Sequence, residues 1–352
     1  MDKHLSLKSS LHEPVWPLGL LPQEISAVLN LRQAFRGQQV FNWLVRGTNH
    51  FSEMTNLPSE VRAQLAASYP EGIYSSRIDA SFSDLDGTKK IKIRLHDGAA
   101  IEAVLLHDNE DRFTACLSSQ VGCAMGCTFC KTATLGWQRN LKAHEIIEQF
   151  YLLGQTSTKI SNVVFMGMGE PLLNLPEVRK ALSFLTLESG LNISRRKITL
   201  STCGIVPGIL DLADNGPQVR LAVSLTVADN NIRSRIMPVT KQYSLAKLQE
   251  ALIYFQEKTG DRITIEAAII KGINTDRNSI RQMAEWFAPL HVQVNVIPWN
   301  PVSGLAFEEP SWNEFQQVVG FLHDLGINAV PRTRKGTSVA AACGQLGETL
   351  EP

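Results

Sequence analysis

The sequence predicts an α/β protein: a partial, open parallel barrel preceded by a small helical domain and a β-hairpin or meander. Three observations carry that reading. From about residue 113 onward, short apolar runs alternate with amphipathic stretches at βα spacing. The chemically unusual residues collect directly after those runs. The first hundred residues follow a different pattern, first of helical and then of two-residue period.

Taken in order, "PQEISAVLNL", "RGQQVFNWLVRG" and "PSEVRAQLAASY" have helical periodicity and are broken by Gly and Pro, which predicts a helical domain over residues 1–72. The stretch "RIDASFSDLDGTKKIKIRLHDGAAIEAVLL" alternates apolar with polar and carries turns at Asp86-Gly87 and Asp97-Gly98, so residues 73–110 read as a hairpin or meander linking region. Residues 111–352 read as the barrel. Its candidate strands are "FTACLSS", "NVVFMG", "KITLST", "RLAVSLT", "ITIEAAII" and "VQVNVIPW". Between them lie the helical stretches "AHEIIEQFYLLG", "PEVRKALSFLTLE", "SLAKLQEALIYFQEK" and "NSIRQMAEWFAPL". Six units are too few for a closed eight-stranded barrel. After the helix "WNEFQQVVGFLHDLG", "GINAVPRTR" adds a last strand.

Composition narrows the function. At 352 residues and 44% hydrophobic, the chain can bury a sizeable core. Lys+Arg and Asp+Glu both total 34, so no global field attracts a polyanion, and a nucleic acid would have to be met by local patches. No eighteen apolar residues run together, and the opening "MDKHLSLKSSLHEPVWPLG" has no apolar core of a signal peptide. The expectation is a soluble, cytoplasmic protein without a membrane partner. In that setting six cysteines are reduced thiols with metal or catalytic roles.

Three of them, Cys123, Cys127 and Cys130 in "VGCAMGCTFCK", form CxxxCxxC. Structural zinc wants four ligands, usually from paired CxxC motifs or histidines, and His107 and His144 are both more than ten residues from the run. Three soft thiolates suit a 4Fe–4S cluster with one iron left open to an external ligand. Zinc and core thiols remain the alternatives on spacing alone.

CxxxCxxC with Phe129 before its last cysteine resembles the radical-SAM signature. The wider "CLSSQVGCAMGCTFCKTATLGWQRNL", with "FMGMGEPLLN", "LAVSL", "IPWNP" and "AACGQL", is similar to the RlmN/Cfr family of RNA adenosine methyltransferases. So are "FRGQQVFNWLVRGTNHFSEMTNLPSEVR" and "SFSDLDGTKK", and the resemblance runs over nearly the whole chain from about residue 18. It implies a (β/α)6-type radical-SAM barrel, a 4Fe–4S cluster on Cys123, Cys127 and Cys130, and S-adenosylmethionine (SAM) used twice per turnover. It implies SAM contacts from Gly169, Glu170, Ser201, Ser224, Leu225, Thr226 and Asn300.

The resemblance also implies the chemistry. An adenine C–H carbon is not a nucleophile, so simple displacement cannot methylate it. Cys343 would take a methyl from one SAM, and a 5′-deoxyadenosyl radical from a second would activate that methyl for addition to the ring. Cys116 would then release the base by a transient disulfide with Cys343, and Glu102 would be the proton acceptor. The implied substrate is carbon 2 of an adenosine in 23S rRNA, with a tRNA adenosine beside the anticodon as a second target. The implied partners are that RNA, a flavodoxin- or ferredoxin-type electron donor and a thiol reductant, acting on a monomer. Cys203 has no role in this scheme and reads as a packing residue.

The match departs from the family in two places. Thr226 stands in "SLT" where the family reads SLH, and "KGTSVAAACGQL" puts Thr337 and Ser338 where acidic residues are usual. Arg332, Arg334 and Lys335 just upstream, and the "SRRK" of residues 194–197, are candidate phosphate contacts. A Cfr-like enzyme acting on carbon 8 is the near alternative. A non-catalytic metal-binding RNA-binding protein is the distant one, and it has no use for Cys116 and Cys343.

Overall fold

The computed structural model describes residues 15–108, 112–155 and 159–347, and it divides into two compact units, Met1–Tyr74 and Ser75–Pro352. The first holds α1 (Pro22–Val28), α2 (Phe35–Val45) and α3 (Ser59–Ser68). Proline opens α1, where its missing N–H is no loss, and the Glu24 side chain accepts from Leu21 N at 2.7 Å. Ile25, Val40, Phe41, Leu44, Phe51 and Met54 form its core. Gly37 lets α2 approach α1, since a Cβ there would sit 2.1 Å from the Pro22 carbonyl oxygen.

The second unit opens with β1 (Arg77–Ser83), β2 (Lys89–Arg94) and β3 (Ala100–His107), then β4 (Phe113–Cys116) and β5 (Gln120–Gly122). Next come α4 (Lys131–Thr134), β6 (Trp137–Asn140), α5 (Ala143–Gly154), β7 (Ile160–Phe165), α6 (Leu175–Thr186), β8 (Ile198–Thr202) and α7 (Val206–Asn215). The chain continues through β9 (Arg220–Ser224), α8 (Asn230–Ile236), α9 (Leu245–Thr259), β10 (Ile263–Ile269) and α10 (Arg277–Phe287). It ends in β11 (Val292–Pro298), α11 (Trp312–Asp324) and β12 (Ala329–Pro331).

Ten of these strands form one sheet in the order β1-β2-β3-β4-β7-β8-β9-β10-β11-β12. From β4 to β12 all neighbours are parallel, joined by crossovers through α5, α6, α7, α8 with α9, α10 and α11. This is the open (β/α)6 barrel with a seventh short strand. The meander β1–β3 is antiparallel and continues the same sheet through the β3–β4 ladder. β5 and β6 pair separately and frame the cysteine loop.

The strands read as apolar runs, yet their burial alternates. In β10, Ile263, Ile265, Ala267 and Ile269 are buried, while Glu266 and Ala268 turn into the barrel and line its pocket. Helix caps fix where each strand-end loop stops. Asp276 accepts from Asn278 N at 2.9 Å and Ser279 N at 3.0 Å at the start of α10, and Ser311 caps α11 with Glu314 reciprocating. No helix among the described residues is long and apolar enough to cross a membrane.

Asp276→Ala should cost about 1 kcal/mol by removing both cap bonds, while Asp276→Asn keeps most of that. Urea unfolding midpoints of the two variants check the difference.

Candidate active site

A cavity of about 200 Å³ opens at the C-terminal ends of the parallel strands, where sheets of this kind place their chemistry. Cys123, Cys127 and Cys130 all line it. Their loop leaves β5 at Gly122, whose φ of 72° and whose place against the Gly136 carbonyl (1.7 Å from a built Cβ) admit no side chain. Cys123 N donates to Gly136 O at 2.9 Å, and Thr128 N to Ile236 O at 2.9 Å, so α8 braces the loop from behind. Burial pushes the Cys123 thiol up to about 12 and the Cys127 thiol higher still, with the neighbouring cysteines adding to the latter. A metal centre held here would take the thiolates, so its binding would release these protons. No three His, Cys, Asp or Glu side chains among the described residues converge on a single-ion position. A cluster asks less, taking one thiolate at each of three irons.

Opposite the cysteines, Gly169 and Glu170 follow β7. Gly169 has φ 101°, and a Cβ would fall 2.5 Å from that of Gln120. The Glu170 carboxylate is buried and accepts from Leu172 N at 3.0 Å and Cys203 N at 2.8 Å. Burial raises its pKa against those hydrogen bonds, so a ligand ammonium beside it would be strongly held. Ser201 and Ser224 close β8 and β9 and line the same cavity, as does Asn300 after β11. Asn300 Nδ2 donates to Cys343 O at 3.0 Å, while its Oδ1 is buried without a hydrogen-bond partner. That orphaned acceptor is what a ligand N–H or O–H would satisfy.

Leu225, by contrast, does not line the cavity: it is fully buried and its carbonyl accepts from Arg233 Nε at 3.1 Å. Thr226 lines the cavity with φ 61°, a conformation a β-branched residue rarely adopts. Asn274 holds it there, donating to Thr226 O at 2.7 Å and Ala268 O at 2.8 Å.

Cys343 opens into the cavity, yet protein encloses the surrounding space. Its thiol is pushed up to about 11, by burial first and the Glu266 carboxylate second, against the Arg332 guanidinium. Cys116 ends β4 just behind that wall, near enough for the Cys343 thiol to add to the burial that raises Cys116 to about 12. Both are free thiols. The loop bearing Cys343 is fastened on three sides. Lys131 N donates to Gly344 O at 2.7 Å and Thr132 Oγ1 to Leu346 O at 2.8 Å from α4. Gln345 Nε2 reaches Pro301 O at 2.8 Å. From the meander, Lys90 Nζ donates to Ala340 O at 3.2 Å and Glu102 Oε2 accepts from Gly347 N at 2.7 Å.

Glu102 is therefore a buried carboxylate, paired with the fully buried Lys90 at 3.3 Å, and it lies off the cavity lining. It sits two residues before Val104, the ladder partner of Cys116, so strand alternation puts it on the same face as that thiol. The residues upstream of Cys343 are held by backbone contacts that their side chains did not advertise: Gly336 N and Ser338 N donate at 2.9 Å to Asp86 and Asp84. Arg334 is engaged by Glu309 at 2.6 Å and Trp299 O at 3.0 Å, and Lys335 by Asp108 and His107 O. Of this basic trio, Arg332 acts electrostatically on Glu266 and Cys343. The exposed Arg195, Arg196 and Lys197 precede β8 and so lie at the opposite ends of the strands from the cavity.

Sequence reading missed four residues here. Cys203 is buried, as a packing residue would be, but it lines the cavity and its N–H fixes Glu170. Glu266 was signalled only as an acid inside an apolar run. Arg233 and Lys90 gave no signal, because both look like surface cations in amphipathic stretches.

With this geometry in place, comparison defines the class. Residues 117–286 match the radical SAM superfamily. The fold superposes on a radical SAM methyltransferase from Sphaerobacter thermophilus with TM-score 0.88 at 35% identity, covering 94% of this chain and 97% of that one. The chain is thus a radical-SAM methyltransferase, with a 4Fe–4S cluster and SAM as cofactors. Its sequence is 46% identical to the probable dual-specificity RNA methyltransferase RlmN of Treponema denticola, over 94% of this chain and 95% of that protein. It is 44% identical to the protein of the same name from Moorella thermoacetica, over 93% and 96%. It belongs to the RlmN family of radical-SAM RNA methyltransferases.

Two outcomes test the site. Lys90→Met leaves Glu102 buried without its cation and should cost about 3–5 kcal/mol. Adding Glu102→Gln should recover part of the loss in urea unfolding. With a thiol near 11, the reactive thiolate of Cys343 grows about tenfold per pH unit. Alkylation of Cys343 in ligand-free protein, followed by peptide mass spectrometry, should accelerate about a hundredfold from about pH 7 to about pH 9.

Proposed function

We propose that this enzyme methylates carbon 2 of an adenosine in 23S rRNA, and of a tRNA adenosine, through a methyl carried on Cys343. The observation that carries the reading is convergence. One cavity gathers the three-cysteine loop, the orphaned acceptor of Asn300 and the Cys343 thiol, with Cys116 just behind. The relatives' designation as dual-specificity RNA methyltransferases supports two RNA substrates.

Cys123, Cys127 and Cys130 hold the cluster, and Gly169, Glu170, Ser201, Ser224, Thr226 and Asn300, with the Leu225 backbone, hold SAM. When bound, these cofactors supply reductive cleavage of SAM to a 5′-deoxyadenosyl radical. Cys343 acts before that: it loses its proton and displaces the methyl from a first SAM, forming a C–S bond as the sulfonium C–S bond breaks. The methyl would give one hydrogen atom to that radical, and the carbon left on Cys343 would bond to the adenine ring, with the odd electron of the adduct passing back to the cluster. Cys116, as thiolate, attacks the Cys343 sulfur, and the C–S bond to the base breaks as the S–S bond forms; the bond pair stays with the ring adduct, whose exocyclic carbon takes up one proton while the ring carbon gives up its hydrogen as another. Glu102, on the face of β3 that carries the Cys116 ladder, is the proton acceptor. The disulfide needs a thiol reductant, and the cluster needs a low-potential electron donor of flavodoxin or ferredoxin type. The protein works as a monomer in the cytoplasm.

Nucleoside mass spectrometry of rRNA and tRNA from a deletion strain tests the product. Loss of 2-methyladenosine, restored by the wild-type gene and not by Cys343→Ala, is the expected result. Loss of 8-methyladenosine instead would move the reaction to the other ring carbon. Restoration by Cys343→Ala would mean that another residue carries the methyl.

A further inference from the structure

Arg233 on α8 is wholly buried, and among the described residues no carboxylate lies within ion-pair distance of it. Its guanidinium is satisfied by neutral acceptors alone. Nε donates to Leu225 O at 3.1 Å, Nη1 to Thr240 Oγ1 at 2.7 Å, and Nη2 to Cys203 O at 2.8 Å and Ser224 O at 3.0 Å. Hydrogen bonds of this kind orient the group but cancel none of its charge. An isolated buried ion costs several kcal/mol even after relaxation. Arginine cannot escape that cost by losing its proton. A fold that keeps such a cation beside its functional cavity calls for an anion that these atoms do not include.

The position of α8 says where that anion belongs. The helix ends against the cysteine loop, with Thr128 N bonded to Ile236 O at 2.9 Å. The carbonyls that Arg233 grips are those of Ser224 and Cys203, which line the same cavity, and of Leu225 next to Ser224. The Glu170 carboxylate on that wall is committed to Cys203 N and Leu172 N.

We infer that Arg233 is the buried counter-charge of the iron–sulfur cluster, placed to stabilise its reduced form. The inference rests on the assignment of Cys123, Cys127 and Cys130 as cluster ligands. Three thiolates outweigh the positive charge of the cluster they hold, so the loaded site is anionic and one-electron reduction makes it more so. A fixed cation in a low-dielectric wall favours the more negative state, and net charge and burial are among the quantities that set such potentials. Arg233 thereby eases electron delivery from a low-potential donor while pinning the strand ends that contact SAM.

The test uses the full-length protein, purified without oxygen and reconstituted with iron and sulfide, without SAM. Wild type, Arg233→Lys and Arg233→Gln are compared by iron and sulfide content, then by redox titration followed by electron paramagnetic resonance. Gln keeps amide donors and loses the charge, while Lys keeps the charge and loses the fork. At fixed potential, Arg233→Gln should lower the reduced-to-oxidised ratio at least tenfold, about 59 mV for one electron, with Arg233→Lys staying close to wild type. Assembly of a cluster in wild type and Arg233→Lys but not in Arg233→Gln supports the same conclusion. A complete cluster in Arg233→Gln at the wild-type potential overturns it. Equal shifts or equal loss of cluster in both variants also overturn it, by assigning the effect to the hydrogen bonds. Wild-type protein that assembles no 4Fe–4S cluster removes the ligand assignment itself, an outcome read from the iron count before any titration.

Discussion

Burying charge and thiol away from water, at the mouth of a parallel sheet, is the constraint on which this structure turns. Glu170, Arg233, Lys90 and Glu102 are all buried, and each is tied by specific partners rather than left to solvent. A lone buried polar group costs about 1–3 kcal/mol and a lone charge more. The strand-end loops are therefore not free to wander, and the conformation that satisfies these groups also shapes the cavity. Asn300 is the instructive exception. One side of its amide holds the Cys343 loop and the other is left unsatisfied at the cavity.

The same economy explains how distant segments make one site. Cys343 is 213 residues after Cys130, yet its loop is bound to α4, which starts at the residue after Cys130. The meander supplies the third tether through Lys90 and Glu102, which is why β1–β3 extend the catalytic sheet instead of forming a separate linker. The cysteine loop and the segment that carries Cys343 are in this way fixed relative to one another by hydrogen bonds to backbone groups. Thr226, where the family resemblance leads one to expect histidine, is held through its backbone by Asn274, a contact that does not depend on its side chain.

Much of this was legible beforehand. The βα alternation gave all six long strands and the short last one, because buried parallel strands are written as compact apolar runs bounded by turns. The cysteine spacing and the strand-end motifs located the site for the same reason: function sits where the strands stop. Periodicity could not show which polar residues turn inward. Arg233 in "NNIRSRIMP" and Lys90 in "TKKIKIR" have the look of solvated cations, and only tertiary packing buries them. Cys203 was half legible, since a buried thiol is what packing predicts, but its backbone bond to Glu170 leaves no trace in sequence. Glu102 stands out in the sequence only through the resemblance, as a proton acceptor, while its anchoring of Gly347 depends on a segment 245 residues away.

The account stands or falls on release of the base by a second thiol. Incubating Cys116→Ala with SAM, reductant and RNA, then digesting with nuclease and mapping peptides by mass, reads that step directly. In the proposed mechanism loading would need Cys343 alone, and release would need a partner sulfur that can approach to about 2 Å. The account predicts a stalled protein–RNA adduct on the Cys343 peptide and no free methylated product. Turnover like wild type with no adduct would contradict it and pass the role to another thiol, with Cys203 on the cavity wall the first to test.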